Sequence, residues 1–342
     1  MALRQQLFGN QGDWLEHTLA HAGDTLPETE GRLPDGSRIR RRALGVLELT
    51  PARAEANANQ EALIVSAGVH GNETAPIEVL NGLLEELLEG HGSLACPLLL
   101  ILGNPAAMVA GTRFVDVNMN RLFHGAHRRA DYQGRPEAAR ARALEDHCRA
   151  FARTHSGLAL SHYDLHTAIR PSHREKFALY PFVSGRQVPS AQCDFLLEAE
   201  VETLLLQHKE GTTFSSFSAS ELGAESFTIE LGKVRPFGQN DLGRFTGIRD
   251  ALRRRFRGAP APRPARTLTV FEVVHEILNT GEGFQLHIPD DVANFTEYAP
   301  GTVIWDDPDT CYRVGERPEA IVFPNREVPV GQRAGLMIRA RD

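Results

Sequence analysis

Apolar and polar positions along this chain follow two periods, and each change of period marks an element. Strand-like runs stand at 43–49 (ALGVLEL), 62–68 (ALIVSAG), 158–168 (LALSHYDLHTA) and 227–232 (FTIELG). Another, at 97–105 (PLLLILGNP), is stopped by an Asn-Pro turn signal. Between them the helical period takes over. Residues 73–88 place Leu80, Leu83, Leu84 and Leu87 on one face, and 137–155 and 193–207 predict further helices. A short amphipathic helix is expected at 13–21, with His17 and His21 one turn apart on it. The polar stretch 124–136 reads as a loop, and 211–226 (GTTFSSFSASELGAES) has the small, polar composition of a mobile one. Strands separated by helices predict an α/β sheet covered on both faces.

The pattern changes at a proline-rich stretch, 258–267. Beyond it the apolar runs are short and broken by Gly, Pro, Asn and Asp: TLTVFEVVHEIL, FQLHIP, TVIWDD, AIVFP and AGLMIRA. Three segments follow: a large α/β domain over 1–257, a linker over 258–267, and a small β domain over 268–342. A length of 342 residues suits that division, since it exceeds the usual size of one core.

Composition narrows the function classes. With 42% hydrophobic and 24% charged residues the chain has no disorder signature. A net charge of −7 disfavours nonspecific nucleic-acid binding, and RRRFRG (253–258) reads as the solvated end of a helix. No apolar run reaches the ~18 residues of a spanning helix, and the N-terminal segment lacks a signal-peptide core, so a cytoplasmic protein is expected. Cys96, Cys148, Cys193 and Cys311 are too scattered for a C-x-x-C site and read as incidental reduced thiols.

The chemistry concentrates at strand ends. His70 and Glu73, in HGNE, follow the apolar run 62–68 where the backbone must turn. Catalytic zinc sites use three protein ligands, and His₂Glu is one such set. His166, closing the run 158–168, supplies a third ligand of the right type, and Asp164 points to the same side two residues earlier. H-x-x-E alone is a common chance pattern; a second strand-end histidine raises its weight. His17 and His21 lack an accompanying H-E-x-x-H and read as an ordinary helix face. Glu230, inside an apolar β run, needs a partner or a proton, which would suit a general base; Glu225, at the start of that run, needs no such explanation. In TRFVDVNMNRLF, the pair Asn120–Arg121 suits a carboxylate, although arginines in loops also make plain surface ion pairs.

GVHGNE, NP followed by TRFVDVNMNRLF, DLHTA and TIELG together resemble, in order, the aspartoacylase/succinylglutamate desuccinylase branch of the M14-like zinc carboxypeptidase clan. FQLHIPDDVANFTEYAPGTVIWDD resembles the tail of the desuccinylase subgroup, so the likeness covers nearly the whole chain. The resemblance implies a mixed sheet flanked by helices, with 1–257 as a zinc hydrolase domain. It implies one zinc per chain on His70, Glu73 and His166, Glu230 as the residue activating water, and Arg113 polarising the scissile carbonyl. Asn120 and Arg121, with Arg113, would hold a substrate carboxylate. One departure is Asn118, where the aspartoacylase side more often has an acidic residue.

The implied reaction is hydrolysis of N-succinyl-L-glutamate to succinate and L-glutamate, the last step of arginine catabolism by the succinyltransferase pathway. A small anionic N-acyl amino acid is then the expected partner, with no nucleic acid and no membrane; a homo-oligomer is left open. The motifs leave room for another N-acyl amino acid, for a zinc carboxypeptidase, and for a noncatalytic zinc-stabilised binding protein. Because the protein is acidic overall, such a substrate requires a local basic pocket, with Lys233, Arg235, Arg170 and Arg174 as nearby candidates.

Overall fold

The computed structural model describes residues 2–52, 60–263 and 265–341. Met1, residues 53–59, Pro264 in the proline-rich stretch and Asp342 lie outside the described residues, and so do those parts of the three segments expected above.

The N-terminal part supplies helices α1 (Ala2–Phe8) and α2 (Trp14–Ala20), then strands β1 (Thr29–Arg32), β2 (Arg38–Ala43), β3 (Val46–Thr50) and β4 (Glu61–Ala67). Helix α3 (Thr74–Leu88), β5 (Leu98–Leu102), α4 (Pro105–Ala110), α5 (Pro136–Thr154), β6 (Ala159–Ala168) and β7 (Phe177–Tyr180) follow. After α6 (Ser190–Glu198) come β8 (Thr203–Leu206), α7 (Phe214–Glu221), β9 (Glu225–Lys233) and α8 (Thr246–Phe256). The C-terminal part is all β: β10 (Thr269–Leu278), β11 (Gln285–Leu286), β12 (Thr296–Tyr298), β13 (Val303–Asp306), β14 (Cys311–Arg313), β15 (Glu319–Val322) and β16 (Arg333–Ala340).

Thirteen of these strands form one mixed sheet in the order β1-β2-β3-β5-β4-β6-β9-β7-β8-β10-β16-β15-β12. Its centre, β5-β4-β6-β9, is parallel, as the strand–helix alternation requires. On one face Leu63, Val65, Ala67, Tyr163, Leu165, Phe227, Ile229 and Leu231 pack under α1, α2, α3, α6 and α8. On the other, Ala62, Ile64, Leu99 and Ile101 pack under α5, α7 and the segment carrying Met119, Leu122 and Phe123. The sheet is therefore buried on both faces, the usual fate of parallel strands.

Beyond 268 the strands have a core of their own around Ile277, Ile304, Trp305 and Met337. They also share a second core with Phe177 and Leu205 of β7 and β8, through Phe271, Phe295 and Leu336. β10 pairs parallel to β8, so these strands extend the main sheet. The remaining three form a small sheet, β11-β13-β14. Among the described residues no helix is long and apolar enough to cross a membrane.

Three expected elements differ. The run 43–49 is not one strand; it contains the Leu44–Gly45 turn of the β2–β3 hairpin. The helix expected over 193–207 ends at Glu198, and Glu200 adopts φ 62° before β8 begins. Leu204 and Leu205 are buried between β7 and β10, and that burial overrides the helical propensity of a Leu-rich run. Residues 211–226 are not a mobile loop. Thr213 caps α7 by accepting from the Ser216 amide at 3.1 Å, and Phe214 and Phe217 are fully buried. Two of the serines that suggested mobility, Ser215 and Ser218, face a buried polar layer on β6 and β9. The helix at 13–21 is present as α2, with His17 buried against Phe8.

Candidate active site

The candidate site lies beyond the carboxyl ends of β4, β6 and β9, the position open α/β sheets use for ligands. At the end of β4 the chain turns through His70–Glu73 and enters α3 directly, with Glu73 at the position preceding the helix. Gly71 makes that turn possible: a Cβ there would lie 2.1 Å from the Ala107 carbonyl carbon of α4. The close backbone approach aims His70 and Glu73 back over the strand ends.

Donor atoms of His70, Glu73 and His166 lie within 4.8 Å of one another, and all three side chains are buried. His166 Nδ1 faces Glu73 Oε2 at 2.7 Å, and its Nε2 faces Asp164 Oδ2 at 2.8 Å. His70 Nε2 stands 3.0 Å from Asn118 Oδ1. That oxygen also accepts from the Asn120 amide, so it is an acceptor and His70 Nε2 carries the proton. His70 Nδ1 is left with its lone pair, buried, 2.9 Å from Glu73 Oε1 and without a hydrogen bond. Two imidazole Nδ1 atoms and a carboxylate thus converge, with their outer nitrogens held by oxygen acceptors. This donor set and the orphaned Nδ1 fit a divalent metal such as zinc. Among the described residues it is the one group of this kind.

Electrostatics agree with a cluster of this kind. Burial pushes the Glu73 carboxyl up, but His70 and His166 outweigh it and hold the group well below the usual range. Burial lowers His70, and for His166 the Asp164 and Glu73 carboxylates overcome burial and raise it.

Glu230 is the register partner of His166 on the adjacent parallel strand, so both project at one level from one face. Its Oε2 is buried without a partner. Burial first, and the charge of Glu73 second, raise its pKa to about 7. Arg113 reaches in from the loop after α4 and donates to Glu73 Oε1 at 2.8 Å. Glu225 is tied up elsewhere, accepting from the Tyr180 hydroxyl at 2.6 Å.

Asn120 is buried and its Oδ1 accepts from the Phe214 amide at the start of α7, which fixes the amide plane. Arg121 is exposed but densely surrounded, as a side chain lining a cleft would be. That crowding, then the charges of Arg333 and Arg113, pull its pKa down to about 10. An anion would relieve this concentration of positive charge. Of the other basic candidates, Arg170 donates to the carbonyls of Asp290, Val292 and Pro324, and Arg174 donates to Thr203 and lies over Phe271. Both hold the C-terminal strands in place.

Beneath the cluster lies a polar layer that motif reading missed. Ser66 donates to Asp164 Oδ1 at 2.6 Å, and its hydroxyl also contacts His162 Nε2. His162 Nδ1 meets Ser218 of α7 at 2.7 Å, and Ser215 meets Thr228. The signal was present in the alternation His162, Asp164, His166 on β6 and Ser226, Thr228, Glu230 on β9, a polar face at period two. Arg333, at the start of β16, gave no comparable local pattern.

Fold and cluster define a class first: an α/β protein with a metal-competent His–Glu–His set at its strand ends and an unpartnered carboxyl beside it. The chain belongs to the succinylglutamate desuccinylase/aspartoacylase family, whose catalytic-domain model matches residues 59–256. The family's barrel-sandwich hybrid domain matches residues 266–341. The chain is 44% identical over 295 residues to a succinylglutamate desuccinylase of Serratia proteamaculans (strain 568), covering 86% of this chain and 88% of that protein. It is 44% identical over 329 residues to one of Burkholderia orbicola (strain MC0-3), covering 95% and 94%. The crystal structure of the succinylglutamate desuccinylase from Chromobacterium violaceum superposes with a TM-score of 0.82 at 38% identity, covering 96% of this chain and 98% of that one.

Proposed function

We propose that this protein is a zinc-dependent amide hydrolase that converts N-succinyl-L-glutamate and water to succinate and L-glutamate. With that substrate it would act in the cytoplasm, at the last step of arginine catabolism by the succinyltransferase pathway. The observation that carries the reading is the pairing of the buried, unpartnered Oε2 of Glu230 with the His70–Glu73–His166 set, in a chain so similar to proteins named for this reaction.

Zinc held by His70, Glu73 and His166 would supply Lewis acidity and a more acidic water. The chain's own residues do the rest. Glu230 takes the proton of the attacking water on Oε2 and returns it to the leaving amine, work suited to a carboxyl with a pKa raised toward neutrality. Arg113, already charge-paired at the cluster, donates to the developing oxyanion, a contribution on the order of 3–4 kcal/mol for one such donor. Arg121 and the Asn120 amide hold the carboxylate of the glutamate portion, and Asp164 keeps His166 in its ligating orientation. A noncatalytic binding role leaves Glu230 and Arg113 without a task.

The test is glutamate release from N-succinyl-L-glutamate beside N-acetyl-L-aspartate. Release from the succinyl compound in clear preference is expected. Preference for the acetyl compound would move the assignment to the aspartoacylase side, and release from neither would remove the substrate.

A further inference from the structure

A cavity of about 380 Å³ opens at the same strand ends, lined by residues that follow members of the cluster along the chain. Leu231, Gly232 and Lys233 follow Glu230, and Ala168 lies two residues beyond His166. Asn240, on the opposite wall, donates to the hydroxyl of Thr74, the neighbour of Glu73. That hydroxyl donates in turn to the Arg235 carbonyl at 2.6 Å. Glu78 of α3 accepts from the Gly238 amide and from Asn240, at 2.6 and 2.7 Å. The loop bearing Arg235 is thus stapled to the first turns of α3. Gly232 contributes a backbone at φ 138°, a region closed to other residues, and a Cβ there would point at Glu175 and Phe245 in the cavity wall.

Charge in the cavity is uneven. Arg244 is paired with Glu175 at 2.5 Å, Asp241 accepts from the Gly243 amide, and Arg170 is engaged by three carbonyls. Lys233 and Arg235 are exposed, and among the described residues neither side-chain cation has a protein partner. The cavity also lies on the opposite side of the sheet end from Arg121. Its wall residues Leu231 and Phe245 belong to the core under α3 and α8, whereas the Asn120–Arg121 segment packs with Phe214 under α5 and α7. The register that pairs His166 with Glu230 pairs Ala168 with Lys233 a step further along, so the cationic wall continues the same strand ends, on the side away from Arg121.

We propose that Lys233 and Arg235 form the subsite for the terminal carboxylate of the acyl group. This rests on the hydrolase reading above and extends it to specificity: the substrate spans the sheet end, with a carboxylate gripped on each side of the scissile amide. The site selects acyl groups that end in a carboxylate over neutral ones.

The experiment compares kcat/KM for N-succinyl-L-glutamate and for its terminal monoamide, which has the same shape without the distal charge. Unaltered protein should favour the acid about 10- to 100-fold, the range for charge-assisted hydrogen bonds. The double variant Lys233→Met/Arg235→Met should lose that preference through a raised KM, and Lys233→Arg should retain most of it. Equal use of acid and monoamide by the unaltered protein, a comparison needing no variant, would overturn the proposal. So would a double variant that keeps the preference. If the unaltered protein hydrolyses neither compound, the hydrolase reading fails and the subsite is judged by calorimetry with succinate. A Kd at least about 10-fold weaker in the double variant would support it, and equal or absent binding would overturn it.

Discussion

The same three strands, β4, β6 and β9, present opposite characters on their two faces. One face is mainly apolar: Leu63, Val65, Tyr163, Leu165, Phe227 and Ile229 pack under α3, α6 and α8. Its polar residues, Glu61, Ser161 and Glu225, stand at the starts of the strands, paired to Arg255, Gln192 and Tyr180. The other carries Ser66, His162, Asp164, His166, Ser226 and Thr228, all buried, and Glu230. Burying so many polar groups is tolerable only because each finds a partner in its neighbours or in α7. Two of the buried polar atoms left without a partner, His70 Nδ1 and Glu230 Oε2, lie at the cluster itself, where the proposed reaction would place a metal and a proton. One face stabilises the fold; the other holds the chemistry that the first makes affordable.

The sharpest way to break this contrast is Glu230→Gln, which keeps the shape and removes the base. Turnover of N-succinyl-L-glutamate should fall about 10²- to 10⁴-fold while zinc content, measured by atomic absorption, stays at one per chain. Undiminished turnover would move the base elsewhere. On the apolar face, Phe227→Ala should cost about 3–5 kcal/mol in denaturant unfolding, with the variant still binding zinc wherever it is folded. A zinc-binding defect in the folded variant would mean the two faces are not separable.

A smaller effect is expected from Asp164→Asn, which exchanges the charged acceptor of His166 for a neutral one. Zinc affinity, by competition with a chelator, should weaken about 10- to 100-fold. Unchanged affinity would reduce Asp164 to a packing role. Smallest is a pH effect on the metal-stripped protein. Folding raises the Glu230 carboxyl from its ordinary 4.5 to about 7, so the fold disfavours its ionised form. That penalty is absent below the unfolded pKa and grows as pH rises through the folded one. Glu230→Gln should therefore be more stable than the parent above pH 7, on the order of 1–3 kcal/mol, with the gap closing near pH 4. A gap that persists in acid would have another origin.

Legibility in the sequence divided along the same line. The apolar strands and α3 were readable because their burial is set by local periodicity. The metal-competent set was readable because His70 and Glu73 follow β4 in the turn into α3 and His166 lies near the end of β6, so each sits where an apolar run stops. By contrast, α7 looked like a mobile loop: its serines read as solvent-facing, whereas Ser215 and Ser218 meet the polar ladder of β6 and β9, a contact no local pattern reveals. β8 was hidden in a helix-like run because its partners, β7 and β10, come from distant parts of the chain. Of the four extra basic candidates, composition had no means to separate Arg170 and Arg174, which anchor the C-terminal strands, from Lys233 and Arg235, which line the cavity.

The central claim is that the buried His–Glu–His set holds the metal on which hydrolysis depends. It is tested most directly by stripping the protein with a chelator and titrating zinc back while following glutamate release. The account predicts no turnover at the start, a linear rise, and a plateau at one equivalent per chain. Full turnover without metal, or zinc taken up at one equivalent with no return of activity, would contradict it.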